Sequence, residues 1–347
     1  MPSPYPMHYT VRWPFYYHFP SMKKHIHLEK MPLSMIPTAP ADEMLELVLC
    51  GDMMVLQKDT IPALHPDVCA FIASADAMIG NCEAPLGNHK PNPTIKYRMK
   101  FDMSRDYLSN VIDQTGLPFS KWYLSVANNH ISDYGYDRMM QTKNIMQNMG
   151  VNPVGFLQKN SPPLNIVTIN DLRVGMIAWT DWVNCKIKNQ HDFFFAERND
   201  IESVDWALIK KQHHIDLLIA LPHWEYEFQQ YPRKSSQQLA HALFSNNAVD
   251  LLVGAHTHML QPMEKIEQGY CFYNLGNFFG LGAAWPVRMA PLLKVFVDKQ
   301  SGRILGYDLK VFAQVNGVDR VDIVPLSEAP DDLRQKITHR LHDLFQC

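Results

Sequence analysis

Near residue 45 the texture of the chain changes, and from there short apolar runs alternate with helical patterns. The run 46–50 (ELVLC) predicts a buried strand that stops at Gly51-Asp52, and 76–80 (DAMIG) a second that stops at Asn81. Between them lies a proline-punctuated helical stretch through the sixties. A helix over 104–115, with Ser104 as its cap, precedes a third strand at 122–126 (WYLSV), and a helix over about 135–149 closes at Gly150. NIVTI and RVGMIAW read as two strands joined by a turn at Asn170-Asp171. In the second half, helices near 202–213 and 234–246 lead into strands at 215–221 (IDLLIAL) and 249–254 (VDLLVG). Extended segments near 270–274, 292–298 and 304–312 and a helix over 331–345 complete the body. Nearly continuous Val, Ile and Leu runs predict strands buried on both faces, as in a sheet covered by helices.

The polar residues that follow these runs change the picture. Five strands each end in a residue able to bind a metal or a proton: Asp52, Glu83, Asn129 with His130, His223, and His256 with His258. In open α/β sheets, ligands sit beyond the carboxyl ends of the strands. Taken alone, Gly51-Asp52 reads as a turn, and His223 reads as a core histidine. Asn128, Asn129 and His130 in a row are harder to explain by packing, the alternative being an Asx turn with a helix cap at Asp133. His256 and His258 stand two apart, so on an extended segment both point to one side and suit adjacent ions. Carboxylate, amide and imidazole donors together suit Mn, Fe, Zn or similar divalent ions. No GxGxxG, GxxxxGK[ST] or GxSxG is present to anchor a dinucleotide, P-loop or serine-hydrolase reading.

Hydrophobic residues make up 46% and charged residues 19% of the 347, the profile of a packed globular chain. A net charge of −3 argues against a nucleic-acid partner, and no apolar run is long enough to predict a membrane span. The six cysteines (Cys50, Cys69, Cys82, Cys185, Cys271 and Cys347) form no CxxC pair and read as reduced core thiols of a cytoplasmic protein. Residues 1–44 form an extension rich in aromatics and proline, without the apolar core of a secretory signal. Residues 45–347 are expected to form one domain.

In order along the chain, LVLCGDMM, NCEAPLG, SVANNHISDYG, PHWEYE with YPRKSSQQLAHAL, VDLLVGAHTHMLQPMEKI and YNLGNFF resemble the CapA family of poly-γ-glutamate capsule synthesis proteins, within the calcineurin-like metallophosphatase superfamily. The resemblance covers roughly residues 46–280. It implies an α/β fold, a metallophosphatase-like layered sandwich of mixed β-sheets flanked by helices. It also implies one or two divalent metal ions. Asp52 and His258 would hold the first, Asn129, His223 and His256 the second, and Glu83 would bridge them. His130 would be a proton donor beside them, and Glu227 the glutamate of the family's His-Trp-Gly-x-Glu motif, with Glu225 in place of its glycine. Where the superfamily has a histidine two residues after the first aspartate this chain has Met54, a poor ligand for a hard ion, so the first-metal group is expected to be short of a ligand.

Three activities follow from the resemblance. One is a metal-dependent hydrolase acting on an anionic or peptide-like substrate, a γ-glutamyl amide or a phosphoester. Another is a cofactor-independent epimerase in which Asp52 and His258 or His130 flank a Cα–H. The third is a non-catalytic accessory protein of polymer synthesis or export. Substrate contacts are expected from Asn128, Glu227 and the basic alternation Lys96, Arg98 and Lys100, which otherwise reads as a solvated edge strand.

Overall fold

A computed structural model describes residues 5–56, 60–87, 100–156, 164–186, 201–245, 248–282 and 284–346. In chain order the first half runs α1 (Met7–His18), β1 (Met44–Met53), α2 (Pro66–Ala73), β2 (Ala77–Cys82), α3 (Arg105–Thr115), β3 (Trp122–Ser125), α4 (Tyr136–Met149) and β4 (Asn152–Val154). The second half runs β5 (Asn165–Ile169), β6 (Leu172–Thr180), α5 (Trp206–Gln212), β7 (Leu217–His223), α6 (Lys234–Phe244), β8 (Leu251–Val253), β9 (Met263–Ile266), β10 (Gly269–Phe272) and β11 (Asn277–Phe279). It closes with β12 (Met289–Asp298), β13 (Ile304–Asn316), β14 (Val321–Val324) and α7 (Asp331–Leu344).

Two mixed sheets result. One runs β14-β13-β12-β1-β2-β3-β4, with β11 added in parallel along the end of β1; the other runs β9-β10-β8-β7-β6-β5. Strands β1 to β4 pair in parallel, as do β6, β7, β8 and β10. The period-2 rule assigns the two faces of the second sheet. Val174, Met176, Leu217, Ile219, Leu251 and Val253 join the core shared with the first sheet. Their neighbours Ile177, Trp179, Leu218, Ala220 and Leu252 pack instead with Leu239 and Leu243 of α6. The chain is therefore a layered α/β sandwich with helices outside paired sheets.

Local signals explain most boundaries. Ser104 caps α3 by accepting from Tyr107 N at 3.0 Å, and Gly116 ends it in the left-handed conformation. Asn170 and Asp171 take φ of 44° and 69°, the backbone of a tight hairpin turn. The helix expected over 202–213 is regular as α5 only from Trp206, because Asp205 caps it there by accepting from Leu208 N at 2.9 Å. The strand expected over 249–254 shortens to β8, since Asp250 turns its carboxylate to Lys210 and Leu218 N. Ahead of β1, Ser34 and Met35 pair with β13, and α1 lies across the carboxyl ends of the strands. No helix among the described residues is long and apolar enough to cross a membrane.

Candidate metal centre

Each candidate ligand is delivered by the end of a strand. Asp52 is the penultimate residue of β1, and β11 runs close beside it, with Asp52 N donating to Gly276 O at 2.9 Å. A Cβ on Gly51 would sit 1.8 Å from that carbonyl oxygen, so only glycine lets the strands meet there. Glu83 follows β2 directly, and His223 is the last residue of β7. Asn128, Asn129 and His130 lie in the turns after β3, while His256 and His258 lie beyond β8. The last two do not sit on an extended segment. His256 has φ of 95° and His258 of 59°, so a turn in a sparsely populated conformation aims the rings, not the alternation of a strand.

The side chains form two groups that share Glu83: Glu83 with His223 and His256, and Asp52 with Glu83 and His258. In the first group, His223 Nε2 lies 2.8 Å from Asn129 Oδ1, 3.0 Å from His256 Nδ1 and 3.5 Å from Glu83 Oε1. In the second, His258 Nδ1 lies 3.2 Å from Asp52 Oδ2, 3.8 Å from Glu83 Oε2 and 3.0 Å from Asn277 Oδ1. The rings of His256 and His258 are 6.1 Å apart and serve different groups. Beside them, His130 stacks on Phe101 at 4.1 Å with Nδ1 2.8 Å from Asp133 Oδ2, which leaves Nε2 facing Glu83 Oε1 at 4.0 Å.

Burial and charge set the protonation of this cluster. Burial, with the Asp52 charge beside it, pushes the Glu83 carboxyl well above its ordinary range. Burial and the neighbouring imidazoles hold His223 and His256 well below theirs, so both stay neutral and able to donate a lone pair. His258 behaves oppositely: burial works to lower it, but Glu83 and Asp52 lift it to about 10. The metal-free cluster thus splits: Glu83 and His258 hold a proton more tightly than in water, and His223 and His256 less tightly.

The residues fit divalent cations on a direct observation. Both carboxylate oxygens of Glu83 are buried, and neither has a hydrogen-bond partner. A buried carboxylate without a donor is costly, and here it faces the imidazoles of both groups. A bridging carboxylate has this environment. The donor set of carboxylates, imidazoles and amide oxygens suits Mn, Fe or Zn.

Several residues occupy roles the sequence did not suggest. Asp133 does not cap α4, whose cap position is Gly135 without a side-chain bond. Its carboxylate orients His130 and accepts from Phe101 N at 2.8 Å and Asn184 Nδ2 at 3.1 Å. Asn81 donates to Asp52 Oδ1 at 2.7 Å and lies 3.2 Å from His223 Nδ1. Asn277 enters from β11, and its place in YNLGNFF, next to a glycine and two aromatics, is the one signal that marked it.

Among the expected substrate contacts, Asn128 is fully buried. It donates to Cys82 O at 2.8 Å and Asn81 Oδ1 at 3.2 Å and accepts from His130 N, so its amide holds the turn together. The Glu227 carboxylate accepts from the Trp13 indole. Lys96 and Arg98 lie outside the described residues, and Lys100 sits over the Tyr134 ring at 5.1 Å. Glu225, in the glycine position of the family motif, has φ of 75°. Its carboxylate is tied to Arg233 N at 2.7 Å and Gln261 Nε2 at 3.0 Å.

Comparison with known proteins places this geometry in a family. Residues 46–280 match the model of the bacterial capsule synthesis protein PGA_cap family. The chain is 26% identical over 251 residues to the capsule biosynthesis protein CapA of Bacillus anthracis, covering 68% of this chain and 60% of that protein. It is 24% identical over 315 residues to the PGA biosynthesis protein CapA of Bacillus subtilis (strain 168), covering 85% of this chain and 77% of that one. The chain thus spans less than two thirds of the Bacillus anthracis relative. Among solved structures it is similar to the calcineurin-like phosphoesterase YfkN from Bacillus subtilis, at 15% identity and a TM-score of 0.40, covering 86% of this chain and 97% of that chain. With more than half of its residues, including every strand end of the two ligand groups, inside the matched stretch, the chain belongs to the bacterial capsule synthesis protein family PGA_cap.

Proposed function

We propose that this protein is a metal-dependent hydrolase acting on an anionic substrate, a γ-glutamyl amide or a phosphoester. The observation that carries the reading is Glu83, a buried carboxylate with no hydrogen-bond partner, shared by two ligand groups. Glu83, Asn129, His223 and His256 would hold one ion, and Asp52, Glu83, His258 and Asn277 the other. Two such ions, when bound, would polarise a substrate oxygen and supply a nucleophile near neutral pH. The chain's own part is positional. Asn81 and Asn128 fix the turn that carries Asn129 and His130, and Asp133 orients the His130 ring so that Nε2 can give a proton to a leaving group. The capsule names of the relatives support an anionic polymer or its fragments as substrate. The free thiols Cys50, Cys69, Cys82, Cys185 and Cys271 support a reducing, cytoplasmic setting.

The test is turnover of phosphoesters and γ-glutamyl peptides with added Mn, Fe or Zn, with and without chelator, together with metal content. His223→Ala is expected to lose both ion and activity. His130→Ala is expected to keep the ion and lose about 10²–10⁴-fold in turnover. Chelator-resistant activity that survives His223→Ala would sink the hydrolase. The alternative is the metal-free epimerase, although Asp52 Oδ2 and His258 Nδ1 touch at 3.2 Å and leave no room for a Cα–H between them. Its mark would be solvent deuterium appearing at a substrate Cα. No turnover in any assay would favour the accessory protein.

A further inference from the structure

A hydrolase must admit substrate to its metals, yet this centre is closed. Asp52, Glu83 and His256 are 0% exposed, His223 1% and His258 4%. Part of the cover comes from the segment ahead of the matched family region. The Tyr5 hydroxyl lies 3.1 Å from His256 Nε2, on the side of the ring away from the ligand group. Its ring is packed among Tyr226 at 5.0 Å, Tyr9 at 5.3 Å and Trp182 at 5.4 Å. One helical turn on, Tyr9 donates to the carbonyl of Glu227, and the Trp13 indole donates to its carboxylate. Trp13 and Tyr17 both pack against Phe228, whose ring lies 5.9 Å from His258. The segment is pinned at its far end, where Ser21 N donates to Phe228 O at 2.8 Å and Ser21 O accepts from Gln230 N at 3.1 Å.

We propose that residues 5–18 are an intramolecular cover of the metal centre, docked through Tyr5, Tyr9 and Trp13 and hinged at Ser21, and that substrate enters when the cover lifts. The proposal rests on the hydrolase reading only for the consequence to turnover; the covering itself is independent of it. Helix α1 is built to be displaced. It carries Pro14 in its interior, has no side-chain cap at Pro6 and no acidic residue in its first turn, so local energetics favour it weakly. Its outer stripe of Met7, Val11 and Phe15 is 83%, 74% and 59% exposed, so its order depends on the inner face alone. The ring of Tyr5 fills a collar of Tyr9, Trp182 and Tyr226, with its hydroxyl against His256.

The test uses the full chain, metal-free for chemical modification and loaded with Mn²⁺ for the chelator arm, with the double variant Tyr5→Ala/Trp13→Ala. Diethylpyrocarbonate modifies accessible neutral imidazoles, and peptide mass spectrometry reads His256 and His258 separately. In the wild type both should react far more slowly than His339, whose side chain is 83% exposed. In the double variant the rate at His256 should rise about tenfold or more, as should the rate at which a chelator withdraws bound Mn²⁺. Trp13→Phe keeps an aromatic ring against Phe228 but removes the indole N–H and some packing area, so it should move both rates the same way by less, in a protein whose circular dichroism is unchanged. Val11→Ala, on the outer face, should change neither. A wild-type His256 as reactive as His339, or no acceleration in either inner-face variant, overturns the cover. If no ion binds at all, the hydrolase reading falls while the His256 reactivity still decides this one.

Discussion

Replacing the shared carboxylate, Glu83→Gln, tests the centre without a substrate. The change keeps shape and volume and removes a charge that in the metal-free protein is buried beside Asp52 with no donor on either oxygen. Glutamine is as unpaired there as the carboxyl but carries no charge, and each pKa unit by which folding lifts Glu83 is worth about 1.4 kcal/mol, so the metal-free variant should be more stable than the wild type by about 1–3 kcal/mol. With an unfolding entropy of about 2.1 cal/mol/K per residue, the whole chain has roughly 0.7 kcal/mol/K, and the gain is about 1.5–4 °C in Tm. Metal should reverse the ranking. At one hundred times Kd an ion stabilises by about 2.7 kcal/mol, or about 4 °C in the wild type, and the variant, lacking the ligand common to both groups, should gain almost nothing. The pH sign is also set. The Glu83 pKa is raised on folding, so its destabilising effect is absent below the ordinary glutamate range and grows as pH rises through and above it. The advantage of the variant should therefore vanish near pH 4 and widen toward neutrality. The assay is differential scanning fluorimetry across pH with chelator or Mn²⁺. A variant that melts at or below the metal-free wild type, or that gains as much from Mn²⁺, refutes the shared-ligand argument.

Two further outcomes follow from the geometry. Because His258 is lifted to about 10 by Glu83 and Asp52, it carries a proton at neutral pH in the metal-free protein, and loading the Asp52–Glu83–His258 group should release at least about one proton, with any held by the raised Glu83 carboxyl in addition. Calorimetry in buffers of different ionisation enthalpy reads that number, and binding with no buffer dependence at pH 7 would contradict it. Glu225→Gly relieves a left-handed backbone but removes two hydrogen bonds, to Arg233 N and Gln261 Nε2. With strain and bonds each worth about 1–3 kcal/mol in total, the variant should unfold within about 2 kcal/mol of the wild type, whereas Glu225→Ala, which keeps the strain and loses the bonds, should be clearly less stable by chemical denaturation.

Most strands were legible because their burial has a simple period. The Leu217–Leu221 run alternates between two cores, and Asn170-Asp171 can only be a tight turn between two β runs. What was hidden depended on contacts far along the chain. Helix α1 has a weak local signal, and it is held by Glu227, 214 residues away from Trp13. Asp133 looks like a helix cap because its sequence neighbours are those of a cap; its real partner, His130, lies in a turn whose closure needs Asn128 and Asn81 from another strand. His256 and His258 show the same limit. Their spacing pointed to two adjacent groups, but the strand geometry invoked for it is absent, and positive φ angles aim the rings instead.

Met54, where the family resemblance leads one to expect a histidine ligand, is held in packing by the strand that lies next to it. Met54 is 4% exposed; its N–H donates to Phe279 O at 3.1 Å and its carbonyl accepts from the Tyr107 hydroxyl at 3.1 Å, so the residue belongs to the packing between β1 and β11. The same β11 begins with Asn277, which brings its amide oxygen to within 3.0 Å of His258 Nδ1. A thioether would be a poor donor to a hard ion, but an amide oxygen is a good one. On the proposed reading, Asn277 would supply the group with Asp52 an oxygen donor where Met54 supplies none. On that reading the two halves of the centre would be chemically unequal. One offers two carboxylates, one imidazole and one amide oxygen, and the other one carboxylate, two imidazoles and one amide oxygen. By ligand hardness the first would favour Mn over Zn relative to the second. The two ions would then differ in kind of ligand and not merely in strength, and Glu83, the one residue common to both, would carry the coupling between them.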